Sequence, residues 1–454
     1  MNLRNPISKN IKINHIIIAA FLTVFFFLIL IINGVPMYND SDQYISMHVR
    51  REPVYPIMLY IIRSIAADRW LIVAGIIQTL FVIYASIRFV LYISDRFDLG
   101  IISEWGICVF TILPYVVTPL FSVKNVSMSS GIMSESIAIP MFLLFFIHMH
   151  RAVMDCKTSD VLWSAVLALM LSLTRSNLFV LLIVWIIAVI YRYIPDRKWP
   201  AILICIVVFA SSFVMRDVAT KTYNLAFNGR FIGNQYTNVT VLTNILYASD
   251  PDAGDMIEEP ILHDYFDLFY ETMNENGWSY LSAPNDTVYG RAVYLEEVHD
   301  RIKFDVIEEG FRYTIEETGI HEYLDYNEIA EGYAKGLIGS LFPHCVGRWI
   351  IDWLIMALRG IVRSIAVCHP LAYVYTLAVM IFMIVYFIKT IKRDRLDPTG
   401  VMAGLILLIV FGNAFGTATI IMCISRYMIY GFPAFYSTLL CIAYEIYKKF
   451  KNMI

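Results

Sequence analysis

Of the chain's 454 residues, 58% are hydrophobic, 15% aromatic and only 16% charged. That charge fraction, with apolar runs of about 20 residues recurring along the chain, excludes a soluble globular protein. The formal net charge of −3 decides little by itself; the distribution of the charges is more informative.

Backbone polar groups in lipid must be satisfied internally, so the apolar runs are predicted to be helices. The first run, His15 to Ile32, is too long for a signal-peptide core and has no small-residue cleavage site before Asn39, so it reads as a retained span. Basic clusters stand at Arg4/Lys9/Lys12, Arg151/Lys157, Arg192/Arg197/Lys198, Lys389/Lys392/Arg393/Arg395 and Lys448/Lys449/Lys451. Placed on the cytoplasmic side, they put both termini inside. The spans are then predicted near 14–33, 70–92, 101–120, 131–150, 161–174, 176–193, 199–215, 369–388, 400–423 and 427–447.

Two stretches need separate argument. Val161 to Tyr193 as one helix would run roughly 50 Å, against a hydrocarbon core of about 30 Å. A break is therefore predicted at its only polar cluster, Thr174-Arg175-Ser176-Asn177, where it would line a cavity. Further on, Arg348, Asp352, Arg359 and Arg363 fall within a wedge of about 60° on one helical face. That stripe predicts an amphipathic helix on the outer surface over 346–368 rather than a span, which would carry Lys389 to Arg395 outside.

Between spans seven and eight, 216–345 holds most of the chain's acids. Its sign argues against nucleic acid or an anionic membrane as a partner. Val288 to Ala334 reads as helical, whereas the Asn- and Gly-containing first half through Thr243 reads as strand-like or irregular. The predicted fold class is an all-α polytopic membrane protein of about ten transmembrane helices with one mixed extracytoplasmic domain inserted between spans seven and eight. The organisation follows as a membrane module (1–215), the acidic domain (216–345), the interfacial helix (346–368) and a second membrane module (369–454). Seven cysteines lie mostly in apolar runs, and Cys345 alone in the long polar region offers no disulfide framework. No Gly-rich phosphate loop, zinc-type spacing or internal repeat is present.

The densest polar chemistry is the first outer loop, 39–56, reading NDSDQYISMHVRREPVYP. Asp40 and Asp42 share a face in an extended chain and point apart on a helix; either is a candidate general base, the other a metal ligand or ion-pair partner. Arg50 and Arg51, with His48, stand on the side where basic residues are disfavoured, and arginine matches phosphate bidentately; pairing with Glu52 or with lipid headgroups is the alternative. Glu135 opens span four, where a carboxylate beside hydrocarbon faces a cavity or a partner, or serves the helix dipole. Arg175 and Arg426 sit where apolar runs meet the outer interface; such charges hold a task or a partner, or snorkel to headgroups. Tyr427 places a phenol beside Arg426, and Lys124 is a weaker candidate of the same kind. His148 and His150 suit a cytoplasmic helix end.

Together these residues resemble the GT-C superfamily of integral-membrane glycosyltransferases, which includes protein mannosyltransferases and lipid A aminoarabinose transferases. Asp40-Ser41-Asp42-Gln43-Tyr44 is similar to the family's acidic first loop, and Arg51-Glu52-Pro53-Val54-Tyr55-Pro56 to the R-x-P-x-Y-P run that follows it. Ser134-Glu135-Ser136 resembles the acid opening the fourth span, Thr174-Arg175-Ser176 a T-R-P break, and Arg426-Tyr427-Met428 with Gly431-Phe432-Pro433 the R-Y-x-x-P-type ending. The chain departs from the pattern where Ser41 separates two acids often adjacent, where Ser176 replaces proline, and where the soluble region precedes the last spans.

The resemblance implies a transferase in the bacterial plasma (inner) membrane with an extracytoplasmic site. It would move a sugar from a polyprenyl-phosphate donor to a glycan, lipid or protein acceptor by inverting displacement. Asp40 would be the base, with Asp42 and Glu135 as its catalytic companions. Arg51, Arg175, Arg426 and Tyr427 would hold the donor phosphate. His48, Arg50, Tyr55 and Lys124 would be substrate contacts. A divalent metal, Mg or Mn, would bind at Asp40 if at all. A polysaccharide polymerase or O-antigen ligase, or a lipid or solute transporter, are the alternative readings. The sequence leaves the sugar and acceptor open.

Overall fold

Polar interruptions in the apolar runs set the helix boundaries. The computed structural model describes residues 9–121, 127–235 and 237–452, and no strand occurs among them. The helices are α1 (Lys9–Asn33), α2 (Ser41–Ile45), α3 (Val54–Ala66), α4 (Trp70–Phe97), α5 (Ile101–Phe121), α6 (Glu135–Asp155), α7 (Thr158–Ser172), α8 (Val180–Tyr193) and α9 (Trp199–Asn228). There follow α10 (Thr237–Ala248), α11 (Pro260–Glu275), α12 (Val288–Arg301), α13 (Glu309–Glu317), α14 (Tyr323–Ile365), α15 (Pro370–Arg393), α16 (Pro398–Ile420), α17 (Ser425–Met428) and α18 (Phe432–Lys451). Among the described residues, nine helical segments are long and apolar enough to cross a membrane, and α7 is an apolar helix too short for that criterion. The chain is an all-α polytopic membrane protein.

Contacts divide it into two compact units: 1–231 with 362–413 and 425–454, and 232–361 with 414–424. In the first, α6 is the central helix, packed against α4, α7 and α8. Phe142, Phe145 and Phe146 on it are wholly buried. Helices α1, α9 and α15 instead keep Ile16, Leu203 and Leu371 exposed, as helices facing lipid do. The predicted break is present: α7 ends at Ser172, Arg175 is extended, and a short 3₁₀ turn (Ser176–Phe179) leads into α8.

The second unit corrects two expectations. It is helical, not mixed, and the stretch read as strand-like or irregular through Thr243 is the end of α9, the loop after it and the first part of α10. The Asn and Gly residues of that stretch suggested strand or irregular chain, but Val239, Leu242, Ile245 and Leu246 bury a helical face, and Thr243 Oγ1 donates to the Val239 carbonyl at 3.1 Å. Tertiary burial overrides propensity. Its core is aromatic, with Phe269 edge-on to Phe311 at 4.9 Å and a π-helical turn, Ile302–Glu308, joining α12 to α13. The second correction concerns 346–368, which is no separate helix: α14 runs unbroken for 43 residues through Pro343. The polar stripe is paired within the unit, Arg348 with Asp250 at 2.6 Å and Arg359 with Glu296 at 2.7 Å, so it does not mark a helix boundary.

The first turn of α10 is capped from a distance by Glu331, whose two oxygens accept from the Asn238 and Val239 amides at 3.0 and 3.2 Å. Glu331→Ala should cost about 1 kcal/mol, typical of a lost cap. Hydrogen–deuterium exchange should show it as faster exchange at Asn238 and Val239, with the first unit unchanged.

Candidate active site

The loop 39–56 is docked by short-range hydrogen bonds as well as by its charges. Ser41 Oγ accepts from the Tyr38 amide at 2.7 Å and donates to the Ile132 carbonyl at 2.8 Å. The Ile132 amide returns a bond to the Pro36 carbonyl at 3.0 Å, and Ser130 Oγ donates to the Gly34 carbonyl at 2.9 Å. Gly131 is required here, since a Cβ would stand 2.7 Å from the Tyr38 ring. The loop's far end is tied to the α7–α8 break by the Val54 amide on the Leu173 carbonyl at 3.0 Å. From α9, Asn228 donates to the Met47 carbonyl at 3.1 Å. Met47 itself holds a left-handed φ of 57°.

Docking brings five charged side chains, from positions as far apart as 40 and 426, into a closed ring of contacts. Asp40 Oδ1 accepts from Arg51 Nη2 at 2.7 Å, and Asp40 Oδ2 from Arg426 Nη1 at 3.3 Å. Arg51 also donates to Gln43 Oε1 at 2.8 Å and to the Tyr44 hydroxyl at 3.3 Å. The Tyr44 hydroxyl lies 3.1 Å from Ser134 Oγ, which accepts from Arg175 Nη1 at 2.9 Å and donates to Glu135 Oε2 at 3.3 Å. Arg175 pairs with Glu135 Oε1 at 2.6 Å. The Tyr427 ring closes the circuit: the Arg175 and Arg426 guanidinium carbons lie 4.8 and 5.0 Å from its centroid, and Arg426 Nη2 donates to its hydroxyl at 3.0 Å. Both cations thus rest on one electron-rich face-bearing group, which offsets part of their mutual repulsion.

Three guanidinium groups against two carboxylates leave one positive charge, an arrangement suited to an anion. Burial alone would raise the Asp40 carboxyl, but Arg51 and Arg426 beside it hold it below its ordinary 3.8. Glu135 is 1% exposed and sits on the first turn of α6, where the helix dipole favours its charge. Among the described residues no three His, Cys, Asp or Glu side chains converge as metal ligands. With both Asp40 oxygens on guanidinium groups, the site as arranged fits an anion better than a divalent cation.

Of the other residues singled out by sequence, Asp42 is exposed on α2 and makes no side-chain contact among the described residues. His48 lies beside the ring, its Nδ1 accepting from the Arg50 amide at 3.3 Å. The Tyr55 hydroxyl bonds Gln78 at 2.7 Å and its ring packs edge-on against Tyr44, so it supports the site from below. Lys124 lies outside the described residues. Sequence reasoning missed Tyr44, Ser134, Gln43 and Arg216 as site components. Arg216 Nη2 holds Glu52 Oε1 at 2.6 Å, and Ser176 Oγ donates to the same oxygen at 2.9 Å. Consecutive residues of the break, Arg175 and Ser176, are therefore clamped by two different buried carboxylates.

Glu135→Ala would leave Arg175 buried without its counter-charge, which costs about 3–5 kcal/mol, and a thermal or chemical denaturation series should read that loss. His48 gives a pH prediction. Burial, then Arg50 and Arg51, push it from its ordinary 6.5 down to about 4. Between those values the unfolded chain binds a proton that the folded chain does not, so stability is full above 6.5 and falls as pH drops towards 4. His48→Gln should flatten that slope in a denaturation–pH series. Comparison with protein-family models, with curated proteins and with solved structures finds no match for this chain.

Proposed function

We propose that the chain is a membrane glycosyltransferase that moves a sugar from a polyprenyl-phosphate donor to an acceptor hydroxyl at the extracytoplasmic face of the plasma membrane. The observation that carries the reading is the convergence of Arg51, Arg175 and Arg426 on Asp40 and Glu135 where several membrane-crossing helices end. Guanidinium groups recognise phosphate bidentately, and in a site depleted of water they stabilise a leaving phosphate more strongly than in bulk. Asp40 is the base. The acceptor oxygen attacks the anomeric carbon, the carbon–oxygen bond to phosphate breaks, polyprenyl phosphate departs on the arginines, and the hydroxyl proton passes to Asp40. Glu135 orients Arg175 rather than taking part directly, and Asp42 is given no role. The acceptor is a glycan, lipid or protein. Against the polymerase or ligase reading stands the origin of the three arginines, none of which comes from the long acidic region 216–345.

Proteoliposomes carrying the full chain, offered a panel of radiolabelled polyprenyl-phosphate sugars, test this. Wild type should consume one donor class, Asp40→Asn should lower turnover by roughly 10²–10⁴-fold, and Asp42→Asn should match wild type. No consumption of any donor, or an Asp40→Asn variant as fast as wild type, overturns the proposal.

A further inference from the structure

Both oxygens of Asp40 are engaged, one by Arg51 and one by Arg426. A carboxylate held by two guanidinium groups has its lone pairs directed at cations and is a poor proton acceptor. The same two guanidinium groups are the ones that stand ready for an anion. We propose, resting on the reading above, that the donor phosphate and Asp40 compete for Arg426, so that donor binding frees one carboxylate oxygen, Oδ2, to receive the acceptor's proton while Arg51 keeps Oδ1. The base is released only when there is a leaving group to be expelled.

The ring's own geometry says where it opens. The Arg175–Glu135 pair is tight at 2.6 Å, and its side chains are 12% and 1% exposed. The Arg426–Asp40 contact is longer at 3.3 Å, and both side chains are about 30% exposed. Arg426 is also shared, since its Nε lies 4.0 Å from Glu135 Oε1 and its Nη2 is held by the Tyr427 hydroxyl. It keeps these contacts when Asp40 leaves, so the guanidinium stays in place while its partner changes. The more exposed, longer ion pair gives way and the buried, shorter one persists. Binding is then ordered, with donor preceding acceptor.

The test uses the full chain in nanodiscs with undecaprenyl phosphate as probe. If Asp40 competes with the phosphate, neutralising it in Asp40→Asn should tighten binding by roughly three- to tenfold. Arg426→Ala should weaken it in both backgrounds. Asp40→Asn binding equal to or weaker than wild type, with the Arg426 effect intact, overturns the competition while leaving the phosphate site standing. Undecaprenyl phosphate binding that is indifferent to Arg426 and Arg175 in every background sinks the phosphate reading itself. A second measurement needs no variant. Carbodiimide-driven labelling of Asp40 in the wild-type chain, read by peptide mass spectrometry, should rise when undecaprenyl phosphate is added; unchanged labelling overturns the proposal.

Discussion

The ion pair between Glu135 and Arg175 is the constraint on which the membrane module rests. A charge left alone near hydrocarbon costs several kcal/mol, so each of these residues is tolerable only because the other is there. Their pairing fixes the start of α6 against the break between α7 and α8, and α6 is the helix around which the first unit is packed. Everything polar at the site is referred to this pair: Ser134 hydrogen-bonds both partners, Tyr44 leans on Ser134, and Tyr427 lies under the arginine.

The break between α7 and α8 shows how a length mismatch becomes a site. An uninterrupted helix would overrun the hydrocarbon, so the chain must turn, and a turn beside lipid needs partners for its backbone and side chains. The loop 39–56 supplies them. Val54 takes up the Leu173 carbonyl, and Glu52 receives Ser176. Two local necessities, an over-long apolar run and a loop with too many charges, satisfy one another.

The sequence made Asp40, Glu135, Arg175 and Arg426 conspicuous one at a time, because an ionisable group at the edge of an apolar run is costly wherever it is found. It also revealed the helical class and the break, both consequences of length and hydropathy. What it did not reveal was partnership. Arg426 reaches Asp40 across 386 positions, and no local pattern encodes that contact. Ser134 and Tyr44 are ordinary in sequence and matter only through position. The error over α10 has the same root: Thr237–Ala248 holds β-branched residues whose helical state is decided by what buries them, and its cap, Glu331, lies 93 positions away. Likewise Arg348 and Arg359 looked like a solvent-facing stripe because Asp250 and Glu296 were not visible as their partners.

The spread of the ring along the chain has a consequence for biogenesis. Asp40 meets Arg51 within the same loop, and Glu135 meets Arg175 after 40 further residues, but Arg426 stands near the start of the apolar segment Ser425–Lys451. At ribosomal rates of about 5–20 residues per second, roughly 20–80 s separate the synthesis of Asp40 from that of its second partner. From the synthesis of Arg175 until that of Arg426 the nascent site carries two arginines against two acids and is electrically neutral. The helix that opens at Arg426 delivers the excess positive charge, so the site acquires its attraction for anions only once that helix has been made.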